Sequence, residues 1–355
     1  MHNETKHEII ENYFIKLIKS NQYTPGEQLP SENEIADMFK VSRHTVRQAL
    51  SFLSKEGWIY KERGKGSFYS RKEESYKKNI AVLTTYISDY IFPFIISGIE
   101  EELRNRGYNL LLFNSNNNIK DEIKCLEIIS EQDIAGIILE PTQSAINDKE
   151  YEYIKKLQQN NIKCVNINAN CNNIDTSYVI MDDEKGGYKQ TKYLLQLGHK
   201  NIAGIFKIDD LQGVRRKNGY LKDLEEENIE KNGNIIGEYI TDNQDIYLDE
   251  FIRRILALND RPTAIVCYND KIAMRRIEEC RHRDIRIPDD LSIVSYDDSF
   301  LAISSEVKLT TIRHPQKDMG IKAAKCIVDM IEGRSKSPKY LYDAELIVRE
   351  SCKRI

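Results

Sequence analysis

The sequence predicts an α/β chain in two unlike parts: a small helical head closed by a hairpin, and a large body of parallel sheets. Three observations carry this. Two serine-capped helices and a glycine-tipped hairpin fill the first 70 residues. From residue 80 onward, short apolar strands alternate with helices, the rhythm of βαβ units. Between them, residues 71–79 are polar and charged with no apolar period, as in an exposed linker. A chain of 355 residues has room for about two or three domains of roughly 150 residues.

In the head, apolar residues at helical spacing over 8–19 predict a first helix with one buried face. Tyr23-Thr24-Pro25-Gly26 breaks the chain. Ser31, with Glu34 three residues on, forms a capping box and opens a second helix that buries Ile35, Ala36 and Phe39. After a short turn at Lys40-Val41, Ser42 caps a third helix over 43–53. Val46, Leu50 and Leu53 share its buried face; Arg43 and Arg47 share another, beside His44 and Gln48. Two short helices, the second with polar donors crowded at its start, form a helix-turn-helix suited to a major groove. There Arg43 and Arg47 would read guanine, Gln48 adenine, and the hydroxyls of Ser42 and Thr45 would take phosphates. The hairpin that follows has a basic, glycine-rich tip, with Arg63, Lys65 and Gly66, able to approach phosphates or a minor groove. A helix-turn-helix with such a hairpin is a winged helix.

Charge agrees with this placement. The whole chain carries −4, which excludes a uniformly basic coat. Residues 1–40 sum to −3, whereas 41–67 sum to +4, so positive charge gathers at the third helix and the wing.

In the body, strands are expected at 80–83, 108–113, 136–139, 164–167, 202–206, 264–267 and 291–295. Helices are expected at 94–106, 121–132, 151–160, 188–197, 215–226, 248–258 and 270–283. About 275 residues suit two lobes with a cleft between them. Ligands of such sheets bind past the carboxyl ends of the strands. Those tips hold Tyr86, Asp89 and Phe92, then Glu140 and Gln143, Lys207, Asn269 and Asp297. Carboxylates and amides can hold hydroxyls, and aromatic faces can cover a sugar ring. Asp and Asn at strand ends also serve as helix caps, the plainer reading of any one of them.

Enzymatic motifs are missing. No Gly-x-Gly-x-x-Gly follows a strand, and there is no Walker loop and no Gly-x-Ser-x-Gly. Seven cysteines, none in a Cys-x-x-Cys, read as reduced cytosolic thiols. No metal or cofactor is expected. The N-terminus has no signal-peptide core and no apolar run nears the roughly 20 residues of a membrane span, so a cytoplasmic location is expected.

Leu29-Pro30-Ser31-Glu32, the Val41–Leu50 run VSRHTVRQAL and Gly64-Lys65-Gly66-Ser67-Phe68 resemble the GntR family of winged-helix regulators. Ser67 and Tyr69 stand where that family usually has Thr and Val. The resemblance implies DNA contacts from Arg43, Thr45, Arg47 and Gly66, and from Glu32, whose other role is capping. Residues 80–355 resemble the LacI/GalR regulators and periplasmic sugar-binding proteins. The markers include Asp182-Asp183-x-x-Gly186-Gly187, Leu197-Gly198-His199, Arg216-x-x-Gly219-Tyr220, Asn269-Asp270-x-x-Ala273 and Tyr296-Asp297-Asp298. This implies a two-lobed type I binding fold. Its lobes would be 80–177 with 311–338 and 178–310 with 339–355, the chain crossing near 177, 310 and 338. It also implies sugar contacts from Arg216, Asn269, Asp297, Asp89 and Phe92, with His314 where the family often has Gln.

A GntR-type head (1–70) on a LacI-type sensor is similar to the arabinose-utilisation regulators of Gram-positive bacteria. The segments VLTTYISDYIFP (82–93) and SRHTVR (42–47) carry that likeness. It implies a homodimeric repressor on a near-palindromic operator, released by L-arabinose. Another pentose as effector, activation instead of repression, and a non-regulatory small-molecule binder are the competing readings.

Overall fold

The computed structural model describes residues 5–19, 24, 26–62, 65–70, 78–141, 143–147, 151–170, 174–230 and 232–355. The chain parts into two compact units at residues 77/78. Residues 71–77 of the expected linker lie outside the described residues, and Asn79, expected to end it, already belongs to the first strand of the second unit.

The first unit has three helices, α1 (Lys6–Lys19), α2 (Glu32–Phe39) and α3 (Arg43–Lys55), and a hairpin of β1 (Ile59–Glu62) and β2 (Gly66–Tyr69). The capping box on α2 is complete: Ser31 N donates to Glu34 at 2.7 Å, and the Ser31 hydroxyl accepts from Glu34 N. Ser42 caps α3 by accepting from Thr45 N at 3.2 Å. One core closes the unit: Ile10 and Phe14 from α1, Ile35 from α2, Val46, Leu50 and Leu53 from α3, Ile59 and Tyr69 from the hairpin.

The second unit holds two six-stranded sheets. The strands of the first are β3 (Asn79–Thr84), β4 (Asn109–Asn114), β5 (Gly136–Leu139), β6 (Lys163–Asn168), β7 (Ser177–Met181) and β13 (Lys339–Tyr342), in the order β13-β7-β6-β5-β3-β4, all parallel. Those of the second are β8 (Ile202–Lys207), β9 (Ile236–Tyr239), β10 (Ala264–Cys267), β11 (Ser292–Asp297), β12 (Thr310–Arg313) and β14 (Glu345–Ile347), in the order β14-β12-β11-β10-β8-β9. Only β14 runs antiparallel to its neighbour. The helices of the first lobe are α4 (Phe92–Asn105), α5 (Ile119–Ser130), α6 (Ser144–Asn147), α7 (Tyr151–Gln159) and α13 (Gln316–Ile331). Those of the second are α8 (Asp183–Gln196), α9 (Leu211–Glu226), α10 (Gln244–Leu256), α11 (Asp270–Arg281) and α12 (Phe300–Ser304).

Alternation along each strand feeds a helix layer on each face. In β3, Ile80 and Val82 join Ile95 and Ile99 of α4 and Met319 and Ile327 of α13. Ala81 and Leu83 join Leu126 of α5 and Leu157 of α7 on the other face. In β8, Ala203 and Ile205 meet α10 and α11, while Ile202 and Phe206 meet α8 and α9.

The lobe boundaries correct the sequence expectation. The chain crosses after Met181, around His314-Pro315 and around Asp343-Ala344, each four or more residues later than expected. The strands at the crossings keep pairing to their ends: Asn168 with Ile180, Asp297 with Arg313, Met181 with Tyr342. So 178–181 and β13 belong to the first lobe and β12 to the second. The structure also adds β7, β9, β12, β13, β14, α6, α12 and the long helix α13, none of which the strand–helix rhythm picked out.

Candidate nucleic-acid face and ligand cleft

On the first unit, Ser42, Arg43, His44, Arg47 and Gln48 are exposed along the start of α3, and Thr45 is half-buried. Arg47 is not loose: its Nε donates to Glu32 Oε2 at 2.8 Å, so the first turn of α2 steers a side chain of α3. The Thr45 hydroxyl lies 2.9 Å from that of Ser42. In the wing, Lys65 pairs with Glu62 at 3.0 Å. Gly66 has φ +118°, and a Cβ there would stand 2.9 Å from Gln28 Nε2, which donates to Lys65 O at 2.6 Å. Gln28, unnoticed in the sequence, thus braces the wing tip from the loop before α2. Arg63 lies outside the described residues.

On the second unit a cavity of about 570 Å³ opens between the lobes. Of the ten candidate ligand residues, Tyr86, Asp89, Phe92, Glu140, Lys207, Arg216, Asn269, Asp297 and His314 border it. Gln143 does not: its Nε2 donates instead to Asn117 O at 3.1 Å, on the loop after β4.

Arg216 is the centre of the cleft. Only 5% exposed, it is clasped by Asp183 Oδ1 at 2.8 Å from Nε, by Tyr268 O at 2.9 Å, and more loosely by Asp297 Oδ1 at 3.6 Å. Its guanidinium carbon lies 3.5 Å from the Tyr296 ring centre and 4.9 Å from that of Tyr268. Burial works against the guanidinium charge, but Asp183 and Asp297 outweigh it and hold the pKa well above its ordinary range. Arg216 reaches Asp183 because α8 and α9 cross at glycines. A Cβ on Gly187 would sit 2.0 Å from Arg216 O, and one on Gly219 1.9 Å from Glu184 O.

Asp297 ends β11 with φ +100°. Burial pushes its carboxyl up to about 7, eased by Arg216 and raised again by Asp270. His314 is driven down to about 3 by burial and by Arg216, so its imidazole is neutral; Nε2 lies 3.0 Å from Asn168 Oδ1, and Nδ1 has no partner. Lys207 loses by burial but gains from Asp210, 3.1 Å away, and Asp209, which raise its pKa. Glu140 is raised by burial, although Thr85 N and Asn168 Nδ2 donate to it at 2.8 Å each. Tyr86 and Phe92 meet edge to face at 5.6 Å and form an aromatic wall. Asn269 caps α11 by accepting from Ile272 N at 3.0 Å, so its capping role is real. Asp89 meets Lys271 of the opposite lobe at 2.7 Å.

Sequence reasoning passed over Asn117, Asn168, Asp183, Tyr268, Lys271 and the segment 241–246 leading into α10, all of which border the cavity. Asp183 carried a signal, the Asp-Asp-x-x-Gly-Gly motif, and Tyr268 directly precedes a chosen residue; Lys271 had none. Among the described residues no cluster of His, Cys, Asp or Glu is placed to hold a metal ion, and no helix is long and apolar enough to cross a membrane.

The chain matches two family models: bacterial regulatory proteins of the gntR family over residues 7–68, and the periplasmic binding protein-like domain over residues 191–352. The arabinose metabolism transcriptional repressor of Geobacillus stearothermophilus is 44% identical over 98% of this chain and 97% of its own length. The protein of the same description from Halalkalibacterium halodurans is 42% identical over 98% and 96%. The chain belongs to this family of transcriptional repressors. Members are DNA-binding regulators, not enzymes, in line with the missing catalytic motifs. The fold is that of the transcriptional regulator CelR in its cellobiose complex, at a TM-score of 0.67 and 20% identity over 91% of this chain and all of that one.

Proposed function

We propose that this arabinose-family repressor binds operator DNA as a cytoplasmic homodimer and releases it when L-arabinose fills the cleft. The observation that carries the effector reading is Arg216, held between Asp183, Asp297 and two tyrosine rings at the cavity between the lobes. An array of buried donors and acceptors beside the aromatic wall of Tyr86 and Phe92 matches a polyol with one apolar ring face. The names of the two full-length relatives point to arabinose among the sugars. On the DNA side, Arg43, Thr45, Arg47 and Gln48 offer base and phosphate contacts, and Lys65 and Gly66 offer backbone contacts from the wing. Two heads on one dimer would meet adjacent half-sites of a near-palindrome, and pairing multiplies a weak single-head affinity. By linkage, sugar weakens DNA binding by the factor by which DNA weakens sugar binding, typically about 1–3 kcal/mol.

The test is calorimetry of the full chain with L-arabinose, D-xylose and D-ribose, alongside an operator gel shift. Binding of L-arabinose with loss of the shifted band supports the reading. Release by another pentose at lower concentration, or binding without release, overturns it.

A further inference from the structure

Several polar contacts tie the two lobes of the sensor across the cleft, among them the Tyr90 hydroxyl, which accepts from Asp270 N at 3.2 Å and donates to Tyr296 O at 3.4 Å. Lys271 donates to Asp89 at 2.7 Å, and Arg215 donates to Asn170 Oδ1 at 2.9 Å. Lys271 and Asp89 are 41% and 47% exposed, so water screens their attraction. The contact made by Asn117 is of another kind. Asn117 is 3% exposed, and its Nδ2 donates to Thr241 Oγ1 at 2.7 Å and to Asp209 Oδ2 at 3.0 Å. The Thr241 hydroxyl and backbone N–H both donate to the same carboxylate oxygen, at 2.7 and 2.9 Å. One amide from the first lobe therefore completes a closed ring of hydrogen bonds with a half-buried carboxylate of the second. Hydrogen bonds to a carboxylate shielded from bulk water are among the stronger ones.

The first lobe is built to hold that amide still. Asn116 and Asn117 sit at φ +52° and +55°, a left-handed turn that asparagine tolerates better than most residues. Asn116 N is tied to Thr85 O at 2.9 Å, Gln143 donates to Asn117 O, and Asn118 caps α5. Asn117 borders the cavity, yet both its amide hydrogens are already taken by the other lobe.

We propose that Asn117 is a closure latch: a positioning residue that sets how firmly the lobes hold together, and so how much sugar is needed to release the operator, without touching the sugar. This rests on the reading of the cleft as a sugar site. Opening the lobes would strip Asp209 and Thr241 of a buried donor, so closure is favoured before any ligand contact is counted. The ligand then supplies only the remainder of the closing free energy.

The test uses the full chain with Asn117→Ala, Asn117→Asp, Thr241→Ala and the Asn117→Ala/Thr241→Ala double variant. Asn117→Ala should weaken L-arabinose about tenfold or more, and Asn117→Asp further, since it sets a second carboxylate against Asp209. The sugar concentration for half-release of the operator should rise by the same factor, with sugar-free operator affinity unchanged. In the double variant the two losses should overlap, because each removes the same ring; losses that multiply would mean direct sugar contacts and would overturn the latch. Hydrogen exchange without sugar reads the latch independently of any ligand. Faster exchange at Thr241 and over 115–118, with β3 and β8 unchanged, supports it; unchanged loops, or faster exchange throughout both sheets, sinks it. Should the wild-type chain take no L-arabinose, the effector reading fails while the exchange result still decides the latch.

Discussion

Asp297→Asn isolates the cost and the use of one buried charge. Asparagine has the same shape and tolerates the left-handed backbone at this position, so the change removes charge and little else. The carboxyl stands at about 7 against an ordinary value of 3.8, because burial, Asp270 and Asp183 together outweigh the attraction of Arg216. Between about pH 4 and pH 7 the folded protein keeps this proton while the unfolded chain has lost it. Stability therefore falls as pH rises across that window and levels off above it. At about 1.36 kcal/mol per unit, the ionised carboxylate costs on the order of 4 kcal/mol at pH 8. The variant should melt several degrees higher than wild type at pH 8, and its stability should depend less on pH, with Asp270, at about 6, supplying a remaining slope of the same sign. Sugar binding should move the other way. A hydroxyl bond to a charged acceptor is worth about 1.5–3 kcal/mol, so L-arabinose affinity should fall about 10- to 100-fold. In wild type, affinity should rise with pH through about 7 as the carboxylate ionises; in the variant that rise should vanish. Calorimetric melting from pH 5 to 8 and titration with L-arabinose give both readouts. A variant that melts lower at pH 8 and binds sugar as well as wild type would refute the reasoning.

Other changes probe separate parts of the molecule. Arg47→Ala should lower operator affinity at least tenfold in a gel shift while sugar affinity stays as in wild type, since one bidentate arginine–guanine contact is worth about 1–3 kcal/mol. Gly219→Ala should lower the melting temperature by several degrees, because its Cβ would stand 1.9 Å from Glu184 O and overpacking costs about 1–3 kcal/mol. His314→Gln should leave the pH profile of sugar affinity in place, as the imidazole, driven down to about 3, is neutral throughout pH 5 to 8. Loss of that profile in titration calorimetry would put the titration on His314 instead of Asp297.

The head was readable nearly residue by residue because its signals are local. Capping serines, a 3.6-residue apolar period and a glycine-tipped hairpin each act within about ten residues of chain. The strand-end rule found most of the cleft for a similar reason: the carboxyl ends of parallel strands all face one edge. Three kinds of feature stayed hidden. Helix α13 begins with Gln316-Lys317-Asp318 and carries Gly320, which reads as a helix weakener. In the structure that glycine lets α13 press on α4, where a Cβ would meet Ile95 O at 2.1 Å. The strands beside the crossings are short, and β12 mixes Thr310 and Thr311 with Arg313, so no apolar run marks them. Asn117, Lys271 and Arg215 matter through partners on the other lobe, and pairings 45 to 182 residues apart leave no periodic trace.

The features least favourable to folding gather in one place. Asp297 combines a left-handed backbone with a costly charge; His314 buries a nitrogen without a partner; Asp183 is raised by burial even beside Arg216. The first two would be improved for stability alone by a neutral or apolar side chain, whereas Asp183 also holds the buried Arg216 at 2.8 Å. A sequence selected only to fold would not place Asp297 and His314 around one cavity, since consistency across levels is what folding favours. The same region offers what a polyol can use: a carboxylate acceptor at Asp297, the imidazole of His314 and the fixed guanidinium of Arg216. On the proposed sugar reading, the cost of burying these groups and their use to a ligand have one physical origin. Ligand binding should stabilise this unit more than the same number of hydrogen bonds made on a surface would.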